Sequence, residues 1–503
     1  MEKYILAHDL GTSGNKATLY NIDGNLKASV VHDYQTFYPA VGHVEQNPHD
    51  WWKAVCQSTL ELLEVSNVKN TQIEAVSFSA QMMGCLPVDK DGEPLRNMII
   101  WADTRAKEQE IFMKRELGIE AVYQITGHRA SASYSAAKLL WVKDNESDIY
   151  KQTYKMLHAK DYIVHRLTGK FVTDYSDASG TNLFDLKKKV WSEDILQALQ
   201  IEKSKMPDLY KSTEVVAGVT EAAAAATGLL AGTPVVLGGG DGSCACVGAG
   251  VTKEGKAYNV LGSSSWISLA TKEPVLDKEM RVFNWVHLDE DLYAPCGTMQ
   301  AAGYSYSWYK NTLEKDSTYE IINQGIEKST TGSNGLIYLP YLLGERSPRW
   351  NMDARGAFVG LSVTTTRDDM ARAVLEGVGF NLKVIMDTLE QKHSIEDVIL
   401  IGGGAKGAVW QQILADIWQK PLKIPRYLEE ATSIGAAVCG GVGVGIYKDF
   451  HVIEQFNQTE KTVLPNQDLK EKYQELYQIF DKTYESLVGS YQAIAEFQRK
   501  YSN

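Results

Sequence analysis

Short apolar runs alternate with stretches of helical periodicity along the whole chain, a pattern that predicts α/β layers around largely enclosed sheets. The opening is the clearest instance. Residues 4–8 form a β-rich run, Gly11 and Gly14 make a turn, residues 16–21 resume a strand, and Asp23-Gly24 is a hairpin signal leading into residues 26–31. Too few residues separate the first two strands for a βαβ crossover, so the segment predicts an antiparallel meander. A weaker copy appears at residues 257–270, where a strand meets Gly262-Ser263-Ser264 and a second strand follows. Two such hairpins, one near the start of each half, predict a duplicated domain facing itself across a cleft. Later, Val398–Ile401 reads as a buried strand and Gly402 to Gly407 as a strand-to-helix turn, after which Val409, Ile413, Leu414 and Ile417 recur at helical spacing. Thr366-Arg-Asp-Asp369 reads as a helix N-terminus, with Met370, Val374, Val378, Leu382, Ile385 and Leu389 on one face. From Asp468 onward the pattern is helical and polar on one side.

A chain of 503 residues is too long for one core, and two domains are expected, 1–250 and 251–503, with the boundary near 245–256. The net charge of −12 argues against a nucleic-acid or acidic-membrane partner, because such binding depends on Lys and Arg neutralising phosphate. The N-terminus MEKYILAHDL lacks a basic region followed by an apolar stretch, and no apolar run is long enough to span a bilayer. Six cysteines, at 56, 85, 244, 246, 296 and 439, show no CxxC pair and no disulfide framework. The cytoplasm is the expected compartment.

Against this background two acids stand out. Asp9 in YILAHDLGTSGNK and Asp241 in TPVVLGGGDGSC each follow a short apolar run and adjoin glycines, which admit backbone N–H groups close to phosphate oxygens. Asp9, Thr12, Ser13 and Gly14 suit a metal-bound triphosphate, with Lys16 either an added cation or a solvated strand residue. Asp241 suits a general base or ligand, the alternative being a turn or helix-cap residue. Gln81-Met82-Met83 and Trp101 with Asp103 and Arg105 each follow a strand, and together offer the polar groups and apolar wall that a polyhydroxylated ligand needs; the alternatives are a core tryptophan and a structural ion pair. Gly402-x-Gly404-x-x-Gly407 matches the dinucleotide fingerprint, but the strand that follows ends in Pro425-Arg426 where an acid should hold the ribose. An adenosine bed is the better fit. No GxxxxGK[ST] run exists.

In order along the chain, AHDLGTSGNKATLY, AQMMG, IIWADTRA, SYSAAKLLWVKDN, GGGDGSCACVGAG, LGSSSW, LPYLLGERSPRW, LEGVGFNL and IGGGAKGAVWQQILADI resemble the FGGY family of carbohydrate kinases, and within it the xylulokinase branch. The resemblance implies two actin/hexokinase-like (ribonuclease H-like) α/β domains across a cleft, and an ATP- and Mg2+-dependent phosphoryl transfer to a small sugar, D-xylulose in the first instance. It implies Asp241 as catalytic base and Asp9 as the metal- and phosphate-holding acid. Thr12, Ser13 and Gly14 would form the first phosphate turn and Gly262 and Ser263 the second. Gly303 would approach the nucleotide, and Gly404 with Ala405 would bed the adenosine. Gln81, Met82, Met83, Trp101 and Asp103 would line the sugar pocket. Two departures bear on the substrate: xylulokinases usually carry His where this chain has Met83, and commonly Asn where it has Gly242. Both remove hydrogen-bonding groups, which leaves another pentulose, a hexulose or a polyol open. A non-catalytic ATP/sugar sensor and a dehydrogenase are the readings from other classes, and a homodimer stays open.

Overall fold

The computed structural model describes residues 2–501. Its two main sheets repeat one plan. In the first, β1 (Tyr4–Leu10), β2 (Gly14–Asn21) and β3 (Leu26–Asp33) form the antiparallel meander expected from sequence, and β4 (Ile73–Ala80), β5 (Val215–Gly218), β6 (Pro234–Val236) and β7 (Gly239–Gly240) complete it. The strand order is β5-β6-β4-β1-β2-β3, with β7 also on β4. From β5 inward the pairings run antiparallel, parallel, parallel, antiparallel, antiparallel.

The second sheet contains β8 (Ala257–Leu261), β9 (Ser265–Leu269), β10 (Phe283–Val286), β11 (Tyr293–Met299), β12 (Val398–Ile401), β13 (Leu422–Pro425) and β14 (Thr459–Val463), ordered β10-β11-β9-β8-β12-β13-β14. Starting from β14 the pairings again run antiparallel, parallel, parallel, antiparallel, antiparallel. The hairpin at 257–269 is therefore the counterpart of the opening one, each leading a sheet of the same order and polarity. This is the two-domain α/β fold that the hairpin repeat predicts.

The sheets lie on either side of residue 250, but the chain does not divide its packing there. Helix Ala431–Gly443 returns to lie on β1 and β4, and against helix Asp241–Gly248. Ile5, Ala7, Ala75 and Cys244 share one core with Ile434, Ala437 and Val438. The approach of the two helices needs small residues. A Cβ on Gly435 would stand 2.0 Å from the Cys244 carbonyl oxygen, and one on Gly248 would stand 1.8 Å from that of Ala431.

Helix Arg367–Glu390 begins as its sequence predicts: Thr366 Oγ1 accepts from Asp369 N at 3.1 Å and Asp369 returns the bond to Thr366 N at 3.0 Å. It is buried well beyond one face, because the Arg372–Glu376 ion pair at 2.8 Å lets its polar side be enclosed too. The tail forms helix Lys470–Tyr501.

Candidate active site

Asp9 lies at the C-terminal end of β1 and pairs in register with Ser79 of β4; Gly239 of β7 pairs with the same Ser79 from the other side. Strands in a sheet lie about 4.8 Å apart, so Asp9 and Gly239 are about 10 Å apart across Ser79. Two residues further on, Asp241 opens helix Asp241–Gly248. The glycines ahead of it allow this path. Gly238 has φ +67°, and a Cβ there would meet the Phe78 carbonyl oxygen at 2.0 Å. Asp241 is thus the first residue of a helix rather than part of a simple strand-end turn.

The Asp241 carboxyl faces the cleft and accepts from Gly242 N at 2.7 Å. Loss of solvation, then the negative charge of Asp9, push its pKa up to about 7. Burial also raises Asp9, partly offset by the Thr432 hydroxyl, which donates to Asp9 Oδ2 at 2.5 Å, and by Lys16. Lys16 itself donates to the Glu429 carbonyl at 3.1 Å. Two carboxylates that repel each other, one held by a hydroxyl and the other by its neighbour's amide, suit a divalent cation that arrives with phosphates.

Both hairpin turns are engaged through their carbonyls. Tyr34 OH donates to Gly11 O, Gln46 Nε2 to Thr12 O at 2.6 Å, and Tyr34 N to Ser13 O at 3.1 Å. In the second turn Gly303 N donates to Gly262 O at 2.9 Å, while Ala302 N and Tyr304 N donate to Ser263 O at 2.9 and 3.0 Å. The amides of Thr12, Ser13, Ser263 and Ser264 donate to no protein atom among the described residues. Turns with carbonyls tied back and amides free are anion cradles. Gly303 must be glycine, since a Cβ would stand 2.5 Å from Gly262 O.

Between the domains lies a cavity of about 200 Å³, walled by Met82, Met83, Trp101 and Asp241 from the first half and by Trp266 and Arg346, among others, from the second. Trp101 Nε1 donates to Thr12 Oγ1 at 3.0 Å, linking this wall to the first turn. Met83 holds φ +64°, and its carbonyl accepts from Lys138 Nζ at 2.7 Å. Gln81 and Asp103, expected in the pocket, are not among its walls. Gln81 is buried behind the first turn and donates to Gln46 Oε1 at 2.7 Å. Asp103 is enclosed with Arg105, which binds its Oδ2 at 2.7 Å, and accepts from Val44 N at 2.5 Å; a buried charge stays with its partner. Thr432, Trp266 and Arg346 were not picked out from the sequence. Trp266 closes the motif LGSSSW and Arg346 lies in LPYLLGERSPRW, but neither motif by itself assigns them a role.

Gly404 packs its backbone on Leu261, and Ala405 is fully buried, leaving main chain rather than side chain for a nucleotide. The β12–helix–β13 unit around them has the parallel arrangement of a dinucleotide site, but β13 ends at Pro425, and Glu429 beyond it is paired with Lys406 at 2.9 Å. A metal-like trio, His158, Asp161 and Asp177, lies behind Asp241 in the first domain; the Lys160 ammonium, 2.8 Å from Asp161, already supplies its cation.

Family models for the FGGY carbohydrate kinases match residues 4–248, the N-terminal domain, and 257–444, the C-terminal domain. The chain belongs to the FGGY family of carbohydrate kinases. Among FGGY relatives, the xylulose kinase of Bacillus subtilis is 34% identical over 500 residues, covering 99% of this chain and all of that one. Two solved structures from Lactobacillus acidophilus align over 98% of this chain and 100% of their own. Ligand-bound xylulose kinase has a TM-score of 0.93 at 31% identity, and gluconate kinase 0.94 at 30%. Asp241 lines the cavity between the two halves, and Asp9 lies within Coulombic reach of it.

Proposed function

We propose that the protein transfers the γ-phosphoryl group of ATP to a terminal hydroxyl of a small sugar, with Asp241 as general base. The observation that carries this is that Asp9 and Gly239 flank Ser79 with Asp241 two residues further on, beside two turns with unengaged amides and an aromatic-walled cavity that Asp241 lines. Phosphoryl transfer needs positioning and charge neutralisation more than covalent chemistry, and those are what these groups offer. Thr12, Ser13, Gly14, Gly262 and Ser263 would hold phosphate oxygens, Gly303 would admit the nucleotide, and Gly404 and Ala405 would support the adenosine. Magnesium, when bound with ATP, would neutralise phosphate charge, and Asp9 is the residue that would help hold it. Asp241, within Coulombic reach of Asp9, would orient the acceptor hydroxyl and take its proton. Enclosure between the domains would keep water from the phosphoryl group.

D-Xylulose is the neutral acceptor to test first, since curated relatives from several bacteria are named for it. Met82, Met83, Trp101 and Asp241 would face the sugar directly, with Gln81 and Asp103 bracing the wall from behind. The cytoplasm, which supplies ATP, is the proposed compartment; no described helix is long and apolar enough to cross a membrane. The decisive test is a coupled ADP-release screen across pentuloses, hexuloses, polyols and sugar acids, with Asp241→Asn as control. Sugar-dependent ADP release that vanishes in the variant, while nucleotide still binds, is expected. Retained turnover would refute the base assignment.

A further inference from the structure

Lys138 is a fully buried lysine that makes no ion pair with any described residue. It stands in the first turn of helix Ser135–Asn145, where the positive end of the helix dipole also disfavours a cation. Burial pulls its pKa down to about 7, with Asp103 the largest charge opposing the drop. A polar group so placed is costly unless its hydrogen-bonding capacity is used, and here it is. Nζ donates to the Met83 carbonyl at 2.7 Å and to the Ser133 carbonyl at 2.5 Å. No other donor among the described residues reaches either carbonyl. The ammonium and the neutral amine both carry the two N–H groups that these bonds require.

The bond to Met83 falls where the backbone is strained. Met83 holds φ +64°, and a residue other than glycine or asparagine keeps that conformation only when its surroundings impose it. The side chains around this turn fill space that glycines leave. A Cβ on Gly240 would stand 2.4 Å from Met82 Sδ, one on Gly180 3.3 Å from Met83 Cγ, and one on Gly84 2.2 Å from Met98 Cε. Gly240 immediately precedes Asp241, so the turn is packed against the segment that carries the proposed base. Met82 and Met83 wall the cavity, and Lys138 lies behind them. Because Lys138 holds main chain, the placement it imposes does not depend on which side chain stands at position 83.

We propose that Lys138 is a positioning residue for the acceptor: its two hydrogen bonds lock the Met83 turn to the lead-in of helix Ser135–Asn145, and so hold Met82 and Met83 against the acceptor beside Asp241. It touches neither substrate and moves no proton. The role rests on the reading of this cavity as the acceptor site, and it gives the lysine of SYSAAKLLWVKDN a reason to be buried.

The test titrates Lys138→Met by tryptophan fluorescence, since Trp101, Trp266 and Trp285 line the cavity, with D-xylulose and D-gluconate as acceptor probes and ADP with Mg2+ as the nucleotide probe. The variant is expected to weaken acceptor binding by about tenfold and to leave the ADP Kd within about twofold of the original. Lys138→Gln, which keeps two N–H donors on a shorter chain, should fall between. Where an acceptor is turned over, its KM should rise by the same factor, with kcat changed less. A Met83→Asn background separates positioning from general support, because asparagine enters the left-handed region readily; there Lys138→Met should cost no more than about threefold in acceptor Kd. An equal loss in both backgrounds, an equal loss for ADP, or an unchanged acceptor Kd would overturn the proposal. If Lys138→Met does not fold, the Gln variant carries the same comparison. Acceptor binding without ADP release in the unmutated protein would remove the kinase reading and leave the positioning role to be decided by the Kd values. Binding of neither sugar would overturn both.

Discussion

Thr432 donates its hydroxyl hydrogen to Asp9 Oδ2 at 2.5 Å, a contact between residues 423 positions apart in the chain. Thr432 belongs to the first turn of helix Ala431–Gly443, which returns from the second half of the molecule to lie on the sheet that carries Asp9. The bond fixes one carboxylate oxygen and leaves the other for a cation or phosphate-bound water. Thr432→Val keeps the volume and removes the donor. A hydrogen bond to a charged group contributes about 1.5–3 kcal/mol, so kcat/KM for ATP should fall by roughly tenfold or more. Steady-state kinetics with ATP varied should show this with the sugar KM near its original value; an unchanged ATP dependence would separate Asp9 from nucleotide handling.

The elevated pKa of Asp241 has two consequences with opposite signs. A general base must be ionised, so kcat/KM for the sugar should fall as pH drops through about 7. Asp241→Asn should lower turnover by about 10²–10⁴ and abolish that acid limb. Stability runs the other way. The folded carboxyl is raised above its unfolded value, so ionisation is disfavoured in the fold, and stability declines as pH rises from about 4 to about 7, then levels off. The Asn variant should therefore melt above the original protein at pH 8, and the difference should shrink toward pH 4. A lower melting temperature at pH 8 would show that the carboxylate is structurally supported rather than tolerated for function.

The elements that the sequence revealed best are those with local causes. The Thr366–Asp369 capping box, the two hairpin turns and strand Val398–Ile401 were readable because each is specified within a few residues. The acids at 9 and 241 were readable because glycines surround them. Thr432 was not, because its role depends on a partner 423 residues away. Gln81 and Asp103 show the converse: their types suit sugar binding, yet Gln46 and Arg105 engage them first. Spacing alone gives no warning of such tertiary competition.

Behind Asp241 lies a buried charge network that fixes its backbone. Gly240 N donates to Ser176 Oγ at 3.0 Å, Ser176 Oγ donates to Asp174 Oδ2 at 2.5 Å, and Lys160 Nζ lies 3.1 Å from Asp174 and 3.7 Å from Asp177. Burial alone would lower the Lys160 pKa, but Asp161, Asp174 and Asp177 outweigh it and raise it. Removing the cation leaves buried carboxylates unpaired, and Lys160→Met should destabilise by about 3–5 kcal/mol, visible as a lowered denaturant midpoint. Ser176→Ala is gentler: the protein should fold, with kcat reduced more than the KM for sugar. Equal stability of Lys160→Met would contradict the network.

Gly242 follows the proposed base and lines the cavity, and a Cβ built there meets no atom within 4 Å. It is one of two positions where the chain departs from the xylulokinase pattern, and the space makes the departure reversible. Gly242→Asn introduces an amide beside Asp241 from a Cβ position that is open, and replaces the residue least suited to a helix after proline. The variant should melt within about 1 °C of the original protein or above it. Its effect should fall on discrimination, because a hydrogen-bonding group facing a sugar hydroxyl is worth about 0.5–1.5 kcal/mol, or roughly two- to tenfold in kcat/KM. Turnover of D-xylulose relative to D-gluconate should rise by that factor in competition assays. An unchanged ratio would mean that the acceptor lies away from Gly242, and that the absent Asn says nothing about which sugar this cavity selects.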